Sequence, residues 1–157
     1  DVKVQVEFNP EQVEAYRLIG YENRVLNQED FEDDDKDAGE IGADQNITAL
    51  YEIIPKNTPQ ENQPTFTIDF RYKLPDQDSS IPMELPIFDE GHSFDEASDF
   101  MKFTSSIAAF SMLLTDSAYK EAANFTDIKR WLDSIALTDE HGYKAELKQL
   151  IEAAENM

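Results

Sequence analysis

The sequence predicts an α+β fold, with a mainly antiparallel, sandwich-like β-sheet in the N-terminal half packed with about three C-terminal α-helices. The first observation is the strict alternation of apolar and polar residues in segments 2–8 and 65–74, which is typical of half-buried strands. The second is a change near Gly91 from this two-residue period to the 3.6-residue period of amphipathic helices. Strands that precede helices in this way indicate an α+β arrangement.

The 157 residues are expected to form a single domain over 1–157, with a β-rich part over 1–90 and a helical part over 91–157. About five strands are predicted in the β-rich part. Their segments are 2–8, 15–21, 46–54, 65–74 and 83–87. Pro82 and Pro86 confine the last strand to a sheet edge, because proline cannot donate a hydrogen bond to the ladder.

Three helices are predicted after Gly91. Ser93 lies three residues before Glu96, which is the spacing of a capping box at the start of the first helix. Thr126 and Asp127 are expected to open the second helix, and the third follows Gly142. The residues predicted to face inward are Phe94, Ala97, Phe100, Met101, Thr104, Ile107, Ala108, Phe110, Ser111 and Leu114 on the first helix, Ile128, Trp131, Leu132 and Ile135 on the second, and Tyr143, Leu147, Leu150, Ile151 and Ala154 on the third.

The composition restricts the classes of partner. The formal net charge is −21, from 34 acidic and 13 basic residues, so nucleic acids and anionic lipid surfaces are disfavoured by repulsion. A cation such as Ca²⁺ or a basic protein partner is compatible with this charge. The sequence contains no cysteine, which excludes disulfides, thiolate metal sites and a cysteine nucleophile. No apolar run approaches the roughly 20 residues that span a bilayer, so direct membrane insertion is not expected.

No recognised catalytic motif is present. The sequence contains no G-x-S-x-G, no phosphate-binding loop and no H-E-x-x-H. We therefore expect no enzymatic activity and no cofactor, with Ca²⁺ as the possible exception. Carboxylates occur throughout the chain, so a hydrolase with a diffuse carboxylate site remains as a third interpretation.

The acidic segment 29–44 is the candidate cation site. Asp33, Asp35 and Asp37 have the alternate spacing of a calcium-binding loop, and Asp44 occupies the twelfth position. The sixth position is Ala38 instead of glycine, and the twelfth is aspartate instead of a bidentate glutamate. A calcium site and a solvated loop therefore both remain open.

The end of this segment is the candidate interaction site. It consists of Gly39, Glu40, Ile41 and Gly42. The two glycines favour a tight turn that uses positive φ angles. The alternative is that this turn contacts a neighbouring domain.

Several short segments occur in an order that points to a family. They are VKVQVEFNP (2–10), YRLIGYENR (16–24), EDF (29–31), DAGEIGA (37–43), TALYEI (48–53), RYK (71–73), IAAFSMLL (107–114) and GYKAEL (142–147). Together they resemble the C-terminal domain that follows the von Willebrand factor type A domain in bacterial exported proteins, many of them lipoproteins. The sequence departs from that pattern at Asp44 and Gln45, where Gly-His is expected.

The resemblance implies a function that depends on a larger protein. It implies a non-enzymatic accessory or scaffold domain that supports adhesion or protein–protein interaction. The implied partners are the upstream von Willebrand factor type A domain and a further, unidentified protein. The implied location is the periplasm or the cell surface, through a lipid anchor on the parent protein. The chain opens directly into a strand without an initiator methionine, so we expect it to be a processed or excised piece whose first strand pairs with a missing segment.

Overall fold

A computed structural model of the protein describes residues 2–20, 31–36, 41–42, 44–58, 60–74, 77–120 and 123–156. The chain divides into two compact units, residues 1–90 and residues 91–157. The first unit contains the strands and the second contains the helices, so the α+β class is confirmed. The expectation of a single domain stays a prediction.

The β unit contains five strands, β1 (Val2–Phe8), β2 (Val13–Ile19), β3 (Leu50–Pro55), β4 (Phe66–Tyr72) and β5 (Ile81–Ile87). They form two antiparallel sheets, one with the order β1-β4-β5 and one that pairs β2 with β3. Strand β5 lies at an edge of the larger sheet, as its two prolines predict. Strand β3 begins at Leu50, later than the predicted start at residue 46, and residues 46–49 have no regular structure.

The ring of Phe8 joins the two sheets of this unit. It stacks on Tyr16 of β2 at 4.0 Å between ring centroids and meets Tyr51 of β3 edge-on at 5.4 Å. It also lies 5.6 Å from the ring of Phe66 on β4. Aromatic pairs at these separations add directional attraction to the burial of apolar area. The end of β1 is therefore the aromatic centre of the β unit.

The turn after β1 is held by polar side chains. The side chain of Asn9 accepts a hydrogen bond from the Glu11 N–H at 2.9 Å and donates to the Pro64 carbonyl at 2.9 Å. Buried Gln12 donates to the carbonyl of Gln60 at 2.6 Å. These bonds connect the turn after β1 to the loop that precedes β4.

The helical unit contains a 3₁₀ turn (Phe94–Glu96) followed by α1 (Asp99–Leu114), α2 (Phe125–Asp133) and α3 (Tyr143–Glu155). Ser93 donates from its N–H and its hydroxyl to the Glu96 carboxylate, both at 2.8 Å, so the predicted capping pair lies at the 3₁₀ turn. Helix α1 is capped instead by Ser98, whose hydroxyl accepts from the Met101 N–H at 3.1 Å. Helix α2 begins at Phe125, one residue before the predicted start. The Asn124 side chain caps it by accepting from the Asp127 N–H at 2.9 Å.

The core of the helical unit combines residues of all three helices with Ile135. Its buried members are Ala109, Phe110, Ile128, Leu132, Ile135, Leu147 and Ile151. Partly buried Phe103, Leu113, Phe125, Trp131 and Ala154 pack against them. The predicted inward residues of α2 are therefore confirmed, whereas Tyr143 and Leu150 of α3 are exposed.

Helix α1 buries a face that shares only Phe110 with the predicted inward residues. Phe100, Met101, Ile107 and Leu114 are all exposed, and the buried positions are Lys102, Ser106, Ala109 and Phe110. The periodicity misled because this helix is apolar around most of its circumference, with Asp99 and Lys102 as its charged residues. Lys102 tolerates burial because its ammonium group donates to the Asp95 carbonyl at 2.8 Å.

Candidate interaction surface

The acidic segment contacts the β1-β4-β5 sheet through two lysines. The ammonium group of Lys3 donates to the carbonyl of Asp33, and that of Lys73 donates to the carbonyl of Asp34. Lys3 is only 6% exposed, although strand alternation predicts that it points to solvent. Residues 31–36 therefore lie against the polar face of the sheet, and long lysine stems reach the loop carbonyls from it.

The described part of the loop consists of turns and bends at residues 31–36. The carboxylate of Asp33 accepts from the N–H of Asp35 at 2.9 Å. The pKa of the Asp34 carboxyl is lowered, chiefly because the Ser80 hydroxyl donates to it; the Ser80 N–H and the charges of Arg71 and Lys73 act in the same direction.

The structure places the four calcium candidates only in part. Asp33 and Asp35 lie in one turn, Asp44 is exposed with a φ of 62°, and Asp37 lies outside the described residues. Among the residues that are described, no cluster of three or more acidic or histidine side chains could hold a metal ion. Calcium binding by Asp33, Asp35, Asp37 and Asp44 stays a prediction.

The candidate turn at 39–42 is described only at its end, since Gly39 and Glu40 lie outside the described residues. The N–H of Gly42 donates to the side-chain oxygen of Gln45 at 2.9 Å, and the Gln45 N–H donates to the Gly42 carbonyl at 3.2 Å. The expectation of a positive φ is wrong for Gly42. In this segment it is Asp44 that has a positive φ. Ile41 is 42% exposed and is available for a contact.

An open groove of about 1070 Å³ lies largely over the polar side of the larger sheet. Its lining residues are Gln5, Glu7, Phe31, Glu32, Asp69, Phe70, Arg71, Pro82, Met83 and Glu84. The carboxylates of Glu7, Glu32 and Glu84 belong to exposed residues and keep their hydration. The groove therefore has the character of a solvated acidic surface.

The opposite face of this sheet is apolar in every cross-strand row. The rows are Val2, Tyr72 and Ile81; Val4, Phe70 and Met83; Val6, Ile68 and Leu85; and Phe8, Phe66 and Ile87. None of these twelve residues is buried. At the centre, Val4 is 52%, Met83 57% and Leu85 50% exposed. We call these four rows the apolar face.

Sequence alternation correctly predicted that the side chains of the apolar face share one side of the sheet, but it assigned them to a core. Alternation shows that one side of each strand is apolar. It does not show whether another part of the protein covers that side. Because contiguous apolar patches are rare on independent proteins, the apolar face is the strongest candidate for an interaction surface.

The helical elements give no sign of a membrane span. Across the described portion of the chain, every helix is too short or too polar to cross a bilayer.

Comparison with known proteins places the chain in a family. The family described as "Uncharacterized protein YfbK, C-terminal" matches residues 1–157. The chain is 34% identical over 174 aligned residues to "Uncharacterized protein YfbK" of Escherichia coli (strain K12), covering 100% of this chain and 30% of that protein. No solved structure matches the chain. The resemblance to a C-terminal domain of unknown function is thereby confirmed, and the chain belongs to the family of the YfbK C-terminal domain.

Proposed function

We propose that this chain is a non-enzymatic accessory domain that scaffolds the remainder of a YfbK-like protein. In this proposal the neighbour that it supports is an upstream von Willebrand factor type A domain. The assembled protein is exported and is held at the bacterial periplasm or cell surface by a lipid anchor on the parent chain. There it serves adhesion or another protein–protein interaction.

The observation that carries the proposal is the apolar face, which is open at its centre, although Tyr16 and Tyr51 contact Phe8 at one end. Burying one Val, Leu or Met side chain contributes roughly 1.5–3 kcal/mol relative to leaving it exposed. Val4, Met83 and Leu85 are each about half exposed at the centre of the face, so much of this free energy is not realised within the β unit. A sheet with one apolar face is stable when another layer covers that face. A neighbouring domain would supply such a layer.

The length of the relative supports a neighbour in the same polypeptide. The chain spans 30% of YfbK, so most of that protein lies outside the family region. A neighbour in the same polypeptide is held at high effective concentration, which makes docking favourable even when the contact alone is weak. The solvated carboxylates of the groove support a binding role more than a catalytic one.

The test is the rotational motion of this domain in the full-length parent protein. We would label residues 1–157 segmentally with ¹⁵N and measure NMR relaxation. The proposal predicts that the domain tumbles with the correlation time of the whole protein. Independent tumbling of the labelled domain would contradict the scaffold role and favour an autonomous binding module.

A matched pair of substitutions tests whether docking uses the apolar face. Met83→Ser removes an exposed apolar side chain from the face, and Glu84→Ser changes the next residue, which points to the other side of β5. In the full-length protein, Met83→Ser should shorten the correlation time of the labelled domain below that of the whole protein. Glu84→Ser should leave this correlation time unchanged. Equal behaviour of the two variants would place the docking surface elsewhere.

A further inference from the structure

We propose that the free edge of β1 receives an additional β-strand, supplied by the part of the YfbK-like polypeptide outside this chain. This inference rests on the proposed function, because it names the edge and the backbone conformation through which the neighbour docks. The argument begins with the two outer edges of the β1-β4-β5 sheet, which differ in what they offer to a further strand.

The edge at β5 is closed to a further strand. The carbonyl of Ile87 accepts from the N–H of Thr65 at 2.7 Å, so the backbone of Ile87 faces β4. Backbone groups alternate in direction along a strand, so Pro82, Glu84 and Pro86 face away from the sheet. Two of these three outward residues have no N–H. An added strand would find a single donor there, which is a common protection of sheet edges.

The edge at β1 is open. The N–H of Asn9 donates to the carbonyl of Thr65 at 3.0 Å, so the backbone of Asn9 faces β4. By the same alternation, Val2, Val4, Val6 and Phe8 direct their backbone groups away from β4. None of these four residues is proline, and β1 pairs with β4 in continuous register without a bulge. Within the described part of the chain, no strand pairs with this edge.

The chemistry of the edge specifies the occupant. Unpaired N–H and C=O groups of an edge strand are recognised by an extended segment that offers the same groups in return. The segment must lack proline at its inward positions. Its side chains on one side should be apolar, because they would extend the apolar face beside Val4 and Val6.

A second copy of this chain is a weaker occupant. Pairing two β1 strands would join two domains that each carry a net charge of −21. It would also leave two apolar faces open side by side. By contrast, the chain spans 30% of its relative, so the remaining polypeptide can supply both a strand and a cover for the face.

Amide hydrogen exchange in the full-length parent protein tests the inference. The amides of Val4 and Val6 point outward on β1, and the amide of Glu84 points outward on β5, so Glu84 is the internal reference. If a strand occupies the β1 edge, the amides of Val4 and Val6 should exchange at least about a hundredfold more slowly than that of Glu84. Similar fast exchange at all three positions would overturn the inference.

The result separates this inference from the proposed function. Joint tumbling with fast exchange at Val4 would retain the scaffold role and reject the β1 edge. Independent tumbling would reject both. Protection of Val4 that disappears on dilution would identify a second copy as the occupant and overturn the stated source of the strand.

A proline substitution provides the second test. Val4→Pro removes an outward N–H that β4 does not use, so it should block the added strand while sparing the β1-β4 ladder. Glu84→Pro is the control on the closed edge. In the full-length protein, Val4→Pro should abolish protection at Val6 and Glu84→Pro should preserve it. Retained protection at Val6 in a folded Val4→Pro variant would contradict the inference.

Discussion

Lys3 and Asp33 lie 30 residues apart, yet the ammonium group of Lys3 donates a hydrogen bond to the backbone carbonyl of Asp33. The contact fastens the acidic loop to the polar face of the sheet, and Lys73 repeats it at the neighbouring carbonyl of Asp34. A lysine that is 6% exposed must have such acceptors, because an isolated buried charge is strongly unfavourable.

Replacing Lys3 should destabilise the β unit. Lys3→Met keeps most of the aliphatic stem and removes the three donors, so the Asp33 carbonyl loses a charged partner. A hydrogen bond to a charged group contributes about 1.5–3 kcal/mol, and we expect a loss of unfolding free energy in this range. Amide hydrogen exchange of β4, compared between the wild type and the Lys3→Met variant, measures this loss of unfolding free energy.

Lys120→Met is the matched control for that substitution. Lys120 pairs with Asp116 four residues before it, and both side chains are well exposed to solvent. Exposed ion pairs contribute little to stability. A Lys3→Met variant as stable as Lys120→Met would show that the Lys3 contact does not hold the loop.

Millimolar Ca²⁺ should leave the melting temperature unchanged. The ammonium groups of Lys3 and Lys73 already contact the carbonyls of Asp33 and Asp34, where a bound cation would compete with them. Calorimetry and thermal melts with Ca²⁺, compared with Mg²⁺ at equal ionic strength, measure this. A rise specific to Ca²⁺ would support the calcium site at Asp33, Asp35, Asp37 and Asp44 instead, because a ligand that binds only the folded state stabilises it.

The strands were predictable because their signals are local. Alternation located β1 and β4, and Pro82 and Pro86 placed β5 at an edge. The burial of Lys3 was not predictable, because alternation separates the two faces of a strand without telling which face a distant loop covers. The contact with Asp33 depends on chain geometry over 30 residues.

The face of α1 illustrates a second limit of the sequence. A helix with one charged stripe has one plausible buried face, but α1 is apolar on several sides. Local periodicity therefore could not choose between the stripe through Phe100 and Ile107 and the stripe through Ser106 and Ala109. The packing of α2 and α3 decides it, and that information lies elsewhere in the chain.

Adjacent residues of α3 should respond very differently to truncation. Ile151 is fully buried in the helical core, and Leu150 is 52% exposed. Ile151→Ala leaves a cavity and should cost about 2–5 kcal/mol of unfolding free energy. Leu150→Ala should cost about 1 kcal/mol or less. Trp131 is the one tryptophan of the chain and packs against this core, so its fluorescence during urea unfolding measures both. Equal losses of unfolding free energy in the two variants would mean that Leu150 belongs to the core.

The start of α3 depends on a carboxylate in the loop that precedes it. Gly142 precedes the helix with a φ of 75° and has no side chain to cap it. The carboxylate of Asp139 caps the helix instead: it accepts hydrogen bonds from the Ala145 N–H at 2.9 Å and from the Lys144 N–H at 3.1 Å. These bonds, with that from Ala145 the strongest, lower the pKa of the Asp139 carboxyl, and the positive charge of Lys144 adds to the effect.

The stabilisation of the helical unit by Asp139 should therefore depend on pH. Because its pKa is lower in the folded state, the stabilisation is fully present above the unfolded pKa of about 3.9 and is lost as the pH falls through the folded value. Asp139→Asn should lower the urea midpoint at neutral pH, and the difference from wild type should shrink as the pH falls below the unfolded pKa and through the lowered folded pKa. Trp131 fluorescence measures both midpoints. Glu140→Gln, the same charge change at the next, exposed residue, is the control. A pH-independent difference for Asp139→Asn would mean that the carboxylate charge does not stabilise α3.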